Sequence, residues 1–268
     1  MGFYSVATLV QDARRHGIRA KPVCVAASHW LTTVEADDAI RIGLHRVKGL
    51  HEATAQAMIA ARAGQPFASM EDFLARTGFS PEERRALAAA GALNVLAGHR
   101  RAALWQVEGA PAPDDLFSAV AEDGELSPLE VMTHLERIAA DYRTQELTVG
   151  EHPMKSIRSA FPELLRAADL AGIRNGVRVT VGGSVICRQR PGTAKGFVFV
   201  SLEDETGVAN AVVRPQLFEC RRLVITQEPA LIIAGRLQLH DGVIHVLAEE
   251  IRALRCDDLP VEASHDFH

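Results

Sequence analysis

The segment 189–207, QRPGTAKGFVFVSLEDETG, joins a basic, glycine-bearing loop to an alternating strand that runs into an acidic turn. Phe197, Phe199 and Ser201 alternate with Val198, Val200 and Leu202, and a period of two puts the two sets on opposite faces of a strand. One face fills a barrel. The other, if it carries the phenylalanines, sets aromatic rings beside Arg188, Arg190 and Lys195, and rings next to cations serve single-stranded nucleic acid through base stacking and phosphate contact. Phase alone leaves the opposite assignment open, with the rings in the core and the valines in solvent.

The same period extends on both sides of this strand. Val177, Val179 and Val181 precede it, and 208–213, 231–239 and 243–247 follow, the last two joined by Asp241-Gly242, a strong hairpin signal. Gln216 to Arg222 leaves room for one short helix before the fourth strand. Five strands with a helix in that place match the small Greek-key barrel known as the OB-fold. Arg236, Gln238 and His240 alternate with Leu237 and Leu239, so one face of the fourth strand is polar, and Arg214 adds a further candidate phosphate contact.

Upstream of residue 173 the period is helical. Val6, Leu9, Val10 and Ala13 form a short stripe closed by Gly17. Pro22 to Ala26 reads as extended, and Ile40, Ile42 and Leu44 alternate like a strand. Ala55, Met58 and Ile59 share a helical face. Ser80-Pro81-Glu82-Glu83 is a strong helix start, with closure near Gly91, and Ala102 to Val107 continues as another helix. Ser127-Pro128-Leu129-Glu130 repeats the start signal ahead of a stripe of Val131, Leu135, Ile138 and Tyr142, and the Ala/Pro/Asp/Gly-rich run from 108 to 127 reads as a linker. The expected fold is therefore α+β: a helical region followed by a five-stranded barrel.

Lys48-Gly49-Leu50-His51 ahead of a helix has the outline of a helix-hairpin-helix, in which glycines turn the chain and expose amides to a phosphate oxygen, with Arg46 and Lys48 supplying charge. His51 stands where the usual pattern has a second glycine, and a helix cap with an exposed histidine is the plain alternative. A second, more degenerate hairpin lies around Gly91, followed by His99, Arg100 and Arg101. Cations at a helix start oppose the macrodipole, which points to an external anion or else to a solvated basic turn.

At 268 residues, with 47% hydrophobic content, the chain has room for two domains or so. Its net charge of −5 is unevenly spread: 1–107 and 173–256 are mildly basic, while 108–172 and the tail are acidic. Cys24, Cys187, Cys220 and Cys256 are scattered, so neither a zinc site nor a disulfide framework is expected, and with no apolar run of membrane length the default setting is cytoplasmic. Phosphate-cradling, dinucleotide-binding, zinc-protease and nucleophile-elbow motifs are missing. Asp37-Asp38 and Asp114-Asp115 are sequence neighbours rather than converging carboxylates, which argues against a two-metal centre.

Five separated blocks, MGFYSVATLVQDARRHGI, RIGLHRVKGLHEA, AAGALNVLAGHRRAALWQV, ADYRTQELTVGEHPM and QRPGTAKGFVFVSLEDETG, resemble in order the C-terminal part of bacterial C-family DNA polymerases. The run 188–196, RQRPGTAKG, is most similar to the error-prone, damage-inducible branch of the ImuC type. The resemblance implies the end of a fingers region at 1–33, a tandem helix-hairpin-helix region at 34–107, an acidic linker and helical connector at 108–172, an OB-fold at 173–256 and an acidic tail at 257–268. It implies that the hairpins hold primer-template duplex and that the barrel lies near the single-stranded template. The catalytic aspartates of that family lie in an upstream palm domain, so this stretch should be inactive alone and carry no cofactor, Mg2+ belonging to the palm. An accessory mutasome subunit of the inactive Y-family-like type is the implied partner, with the sliding clamp reached indirectly. Pro113-Asp114-Asp115-Leu116-Phe117 falls where replicative relatives carry a clamp peptide, with Pro113 in place of the usual glutamine. The alternatives are an interaction platform with little DNA affinity and an OB module that serves RNA.

Overall fold

The computed structural model describes residues 4–109, 127–240, 242–255 and 265–267, so the Pro113–Phe117 segment lies outside the described residues. The chain divides into two compact units, Ile18–Glu146 and Met1–Gly17 with Leu147–His268. These divisions differ from the expected segments: 1–33 is split at Gly17, and 108–172 is split at Glu146, so that its helix His134–Gln145 belongs with the hairpins.

Helix α1 (Val6–Arg15), part of the barrel unit, starts at Ser5, whose hydroxyl accepts the Thr8 amide N–H. It buries Ala7, Thr8, Val10 and Gln11 while Val6 and Leu9 stay exposed. Polar anchors choose that face over the apolar stripe: Gln11 donates to the carbonyls of Thr148 and Gly150, and Thr8 donates to Glu203 at 3.1 Å.

The hairpin unit opens with three two-residue strands, β1 (Ala20–Lys21), β2 (Thr33–Val34) and β3 (Ile40–Arg41), with β3 in the middle. The expected run through Leu44 stops at Arg41 because Leu44–Arg46 turns into a 3-10 helix. Helices α2 (Glu52–Gly64), α3 (Met70–Arg76), α4 (Pro81–Ala89), α5 (Asn94–Ala97), α6 (Arg100–Glu108) and α7 (His134–Gln145) follow. Ser80 and Glu83 form the expected reciprocal capping box on α4. At its other end, Gly91 (φ +79°) allows the Gly91 and Ala92 amides to donate back to Ala88 and Leu87, closing the helix as a Schellman turn. Helix α7 begins six residues later than the Ser127-Pro128 signal suggested. Thr133 and Glu136 satisfy two amides reciprocally, whereas Ser127 accepts only from Leu129, so the second box wins and Leu129 and Val131 remain exposed. The core joins Leu44, Val47, Met58 and Leu87 to an aromatic stack in which Phe73 meets Phe67 at 5.2 Å and Phe79 at 5.8 Å.

In the barrel unit, α8 (Pro153–Ile157) precedes β4 (Arg178–Gln189), β5 (Val198–Glu203), β6 (Val208–Val213), α9 (Pro215–Gln227), β7 (Ala230–His240) and β8 (Val243–Ala253); β9 (His265–Phe267) adds in parallel to β4. The order β5-β6-β8-β7-β4 closes through β4–β5 into a five-stranded barrel, with β6–β8 its parallel pair and α9 between the third and fourth strands. This is the OB topology expected from the sequence. Val198, Val200 and Leu202 are buried in its core with Val181, Leu231 and Val246. Closure requires glycine at 235: a Cβ there would sit 2.1 Å from the Leu247 carbonyl oxygen, at the bulge between Ala234 and Gly235.

Candidate nucleic-acid interface

At the first hairpin, Val47 and Leu50 bury into the core while Gly49 takes φ +82° and turns the chain into α2. His51 is the N-cap residue of α2, with its ring exposed and no capping bond to its own helix. Its backbone amide and Nδ1 both donate to Glu83 Oε1, at 3.2 and 3.1 Å. Glu83 Oε1 also accepts the Thr54 hydroxyl at 2.5 Å, and Oε2 accepts the Ser80 amide at 3.0 Å. Burial pushes this carboxyl up, but those donors outweigh burial and hold it at about 2. An internal carboxylate thus occupies an amide the sequence reading offered to phosphate. Lys48 pairs with Glu146 at 2.9 Å, both half exposed, and Arg46 donates to the Gln145 carbonyl at 3.0 Å. Exposed pairs such as Lys48–Glu146 are worth roughly 0–1 kcal/mol, so Lys48 is exchangeable.

The second hairpin corrects the sequence reading more sharply. Arg100 is only 8% exposed; it donates to the carbonyls of Ala90 (3.0 Å) and Arg137 (3.2 Å) and pairs with Asp141 at 2.6 Å. Its Nη2 is also the atom a Cβ on Gly91 would approach at 2.9 Å. The anion that the placement near a helix start called for is internal, and Arg100 fastens the hairpin to α7. Arg101 pairs with Glu136 at 2.7 Å and donates to the Glu130 carbonyl. His99 caps α6, its Nδ1 accepting the Ala102 amide.

On the barrel the open question of phase is answered: the valines face the core, Phe199 is 39% exposed and Phe197 is half-buried. Phe199 lies between Gln189 on β4 and Val212 on β6, and Val212 in turn neighbours Leu247 on β8. The adjoining loop turns through Gly192–Ala194 and then through Lys195 (φ +50°) and Gly196 (φ +83°). The Arg190 guanidinium lies over the Phe218 ring, 4.6 Å from its centroid, and 3.7 Å from Glu219. Lys195 and Arg214, the latter the N-cap residue of α9, are exposed and make no ion pair among the described residues.

Arg188 is a second correction. It is buried and donates to the Ile225 carbonyl at 2.5 Å and to the Glu228 carbonyl, a cation set at the C-terminus of α9 where the helix dipole favours it. The reason is a register shift between Val185 and Cys187, which places Arg188 opposite the inward Val200 and Gln189 opposite the outward Phe199. The acidic turn that ends β5 also works internally. Glu203 accepts from Thr8 and pairs with Arg15 at 2.9 Å, its carboxyl pushed up by burial; Asp204 pairs with Arg158 at 3.0 Å and accepts the amides of Ala167, Thr206 and Gly207.

A family described as helix-hairpin-helix motif matches residues 17–103. The error-prone DNA polymerase of Azoarcus sp. is 43% identical over 262 residues, covering 94% of this chain and 25% of that protein. That of Bordetella parapertussis is 42% identical over 282 residues, covering 100% of this chain and 27% of its own length, and that of Pseudomonas syringae pv. tomato is 41% identical over 261 residues. Along its length the chain is similar to one segment of the error-prone DNA polymerases. It spans about a quarter of the length of the relatives it matches. Sequence reasoning missed Asn210 and His245, which share the outward barrel face with Ser201 and Gln238. The signal was present, because Asn210 alternates with the core residues Ala209 and Ala211 as Phe199 does with Val198 and Val200. Among the described residues no helix is long and apolar enough to cross a membrane.

Proposed function

We propose that this chain is the DNA-gripping, non-catalytic C-terminal part of an error-prone translesion polymerase that works in the cytoplasm, with the barrel holding single-stranded template. The observation that carries the reading is the outward Phe199, with Phe197, beside Arg190, Lys195 and Arg214, while the alternating valines fill the core. Bases stack on the rings and phosphates meet the loop cations. Arg100 and Arg188 drop out of the proposed contact set because both are consumed inside the protein. Fluorescence anisotropy with labelled single-stranded and primer-template DNA over a salt series is the test. Three phosphate contacts on a single strand give a log–log salt slope of about −2, and a flat response would sink the reading.

A second reading has its own support. The arginines of the second hairpin are internally paired, Arg100 with Asp141 and Arg101 with Glu136, which favours the hairpin unit as a platform for an accessory mutasome subunit, the clamp being reached through that partner. Duplex binding that is weak and unchanged by Lys48→Ala and Arg46→Ala supports the platform; a loss of duplex binding, with single-strand binding kept, supports duplex grip.

A further inference from the structure

Below the stacking row lies a polar one. Two residues beyond Phe199 on the same face of β5, about 7 Å along the strand, Ser201 pairs across to Asn210 on β6, and Gln238 pairs across to His245 on β8. Asn210 and His245 each stand one residue before the matched Ala211–Val246 pair, so the row runs Ser201, Asn210, His245, Gln238 across four strands. The Ser201 hydroxyl donates to Asn210 Oδ1 at 2.8 Å. His245 Nε2 lies 3.0 Å from Gln238 Oε1, and since a carbonyl oxygen can only accept, that nitrogen is the donor. Each amide therefore has its oxygen engaged, and no described residue accepts from Asn210 Nδ2 or Gln238 Nε2. Asn210 is exposed and Gln238 half-buried, so both amides reach solvent.

We infer that this row reads base edges, the Asn210 amide donating to a ring carbonyl of an unpaired pyrimidine stacked on Phe199 and the Gln238 amide, two strands beyond Asn210, to that of a neighbouring base. The inference rests on the proposed single-strand reading and deepens it, because stacking and phosphate contact alone are blind to the base edge. The Asn210 amide stands one strand over and one side-chain repeat along from the ring, and the O2 and O4 oxygens of thymine are acceptors. A paired base has its O4 engaged in the duplex, so the same row favours an unpaired strand.

The test uses the full 268-residue chain and a labelled thymidine oligonucleotide of about 12 nucleotides, within the span one OB barrel covers. Its counterpart replaces every second thymine with the difluorotoluene isostere, which keeps shape and stacking but is a poor acceptor. The wild type should bind the thymidine strand about tenfold more tightly, the worth of one or two neutral hydrogen bonds, and Asn210→Ala with Gln238→Ala should bind both strands alike with the salt slope kept. Equal, salt-dependent binding of both strands by the wild type, or a preference that survives the double substitution, overturns the inference while leaving the single-strand reading standing. No binding of either strand overturns both.

Discussion

Replacing Glu83 by Gln should loosen the hairpin unit, and the structure says by how much. Glu83 Oε1 accepts three donors, from the His51 amide, His51 Nδ1 and the Thr54 hydroxyl, and Oε2 accepts the Ser80 amide. A glutamine oxygen keeps the first three without charge assistance, which weakens each, while its NH2 faces the Ser80 N–H and leaves that donor unmet. One unmet buried donor costs about 1–3 kcal/mol, and with the weakened bonds the sum is roughly 2–4 kcal/mol. At about 2–4 °C per kcal/mol, the melting transition should fall by about 5–15 °C. Both tryptophans, Trp30 and Trp105, lie in this unit, so urea unfolding followed by tryptophan fluorescence reports it selectively. The sign of the pH dependence follows from a carboxyl lowered from 4.5 to about 2. Its stabilisation is complete above the ordinary carboxylate value and drains away as pH falls toward 2, and the variant should lose that slope. A change of less than about 0.5 kcal/mol, the range of a neutral surface substitution, would refute the internal-plug reasoning.

Other outcomes follow from the same contacts. Arg188→Ala should cost about 2–4 kcal/mol, by freeing two buried carbonyl acceptors at the end of α9, yet leave the salt slope of single-strand binding unchanged; denaturation and anisotropy on one preparation check both. Phe199→Ala should weaken single-strand binding by about 1–3 kcal/mol with little loss of stability, since the ring is 39% exposed. Gly91→Ala should destabilise the hairpin unit by about 1–2 kcal/mol, because φ is +79° and the new methyl meets Arg100. In the barrel unit, burial lowers His152 from 6.5 to about 4, with the nearby Asp204 pulling it up and the Arg15 and Arg158 charges pushing it down. A base held neutral in the folded state makes stability fall as pH drops from 6.5 toward 4, and His152→Gln should flatten that part of the profile.

The barrel was legible because its strands alternate cleanly: Val198, Val200 and Leu202 could fill a core only if Phe199 faced away, and the Asp241-Gly242 hairpin and the helix before β7 fixed the topology. Arg188 was not legible, because a bulge between Val185 and Cys187 moves it to the inner face, and no local residue pattern announces a one-residue shift. Arg100 looked like a phosphate ligand because its partners are distant in sequence: Asp141 lies 41 residues on. The late start of α7 was written in Thr133 and Glu136 but masked by an equally good signal at Ser127. Helix α3, seven residues long, was too short for periodicity to register, although Ser69 caps it by accepting the Asp72 amide. The second hairpin's glycine was read correctly as a helix stop, and only the use of the cations around it was misassigned.

The central claim is that single-stranded DNA stacks on the outward rings of β5 and its loop. Photocrosslinking a single strand carrying 5-iododeoxyuridine to the full chain, followed by peptide mass spectrometry, addresses it directly. Adducts should fall on Phe199 or Phe197, and they should diminish with rising salt as the phosphate contacts of Arg190, Lys195 and Arg214 are screened. Adducts confined to the hairpin helices, or to barrel residues away from β5 and its loop, would contradict the account.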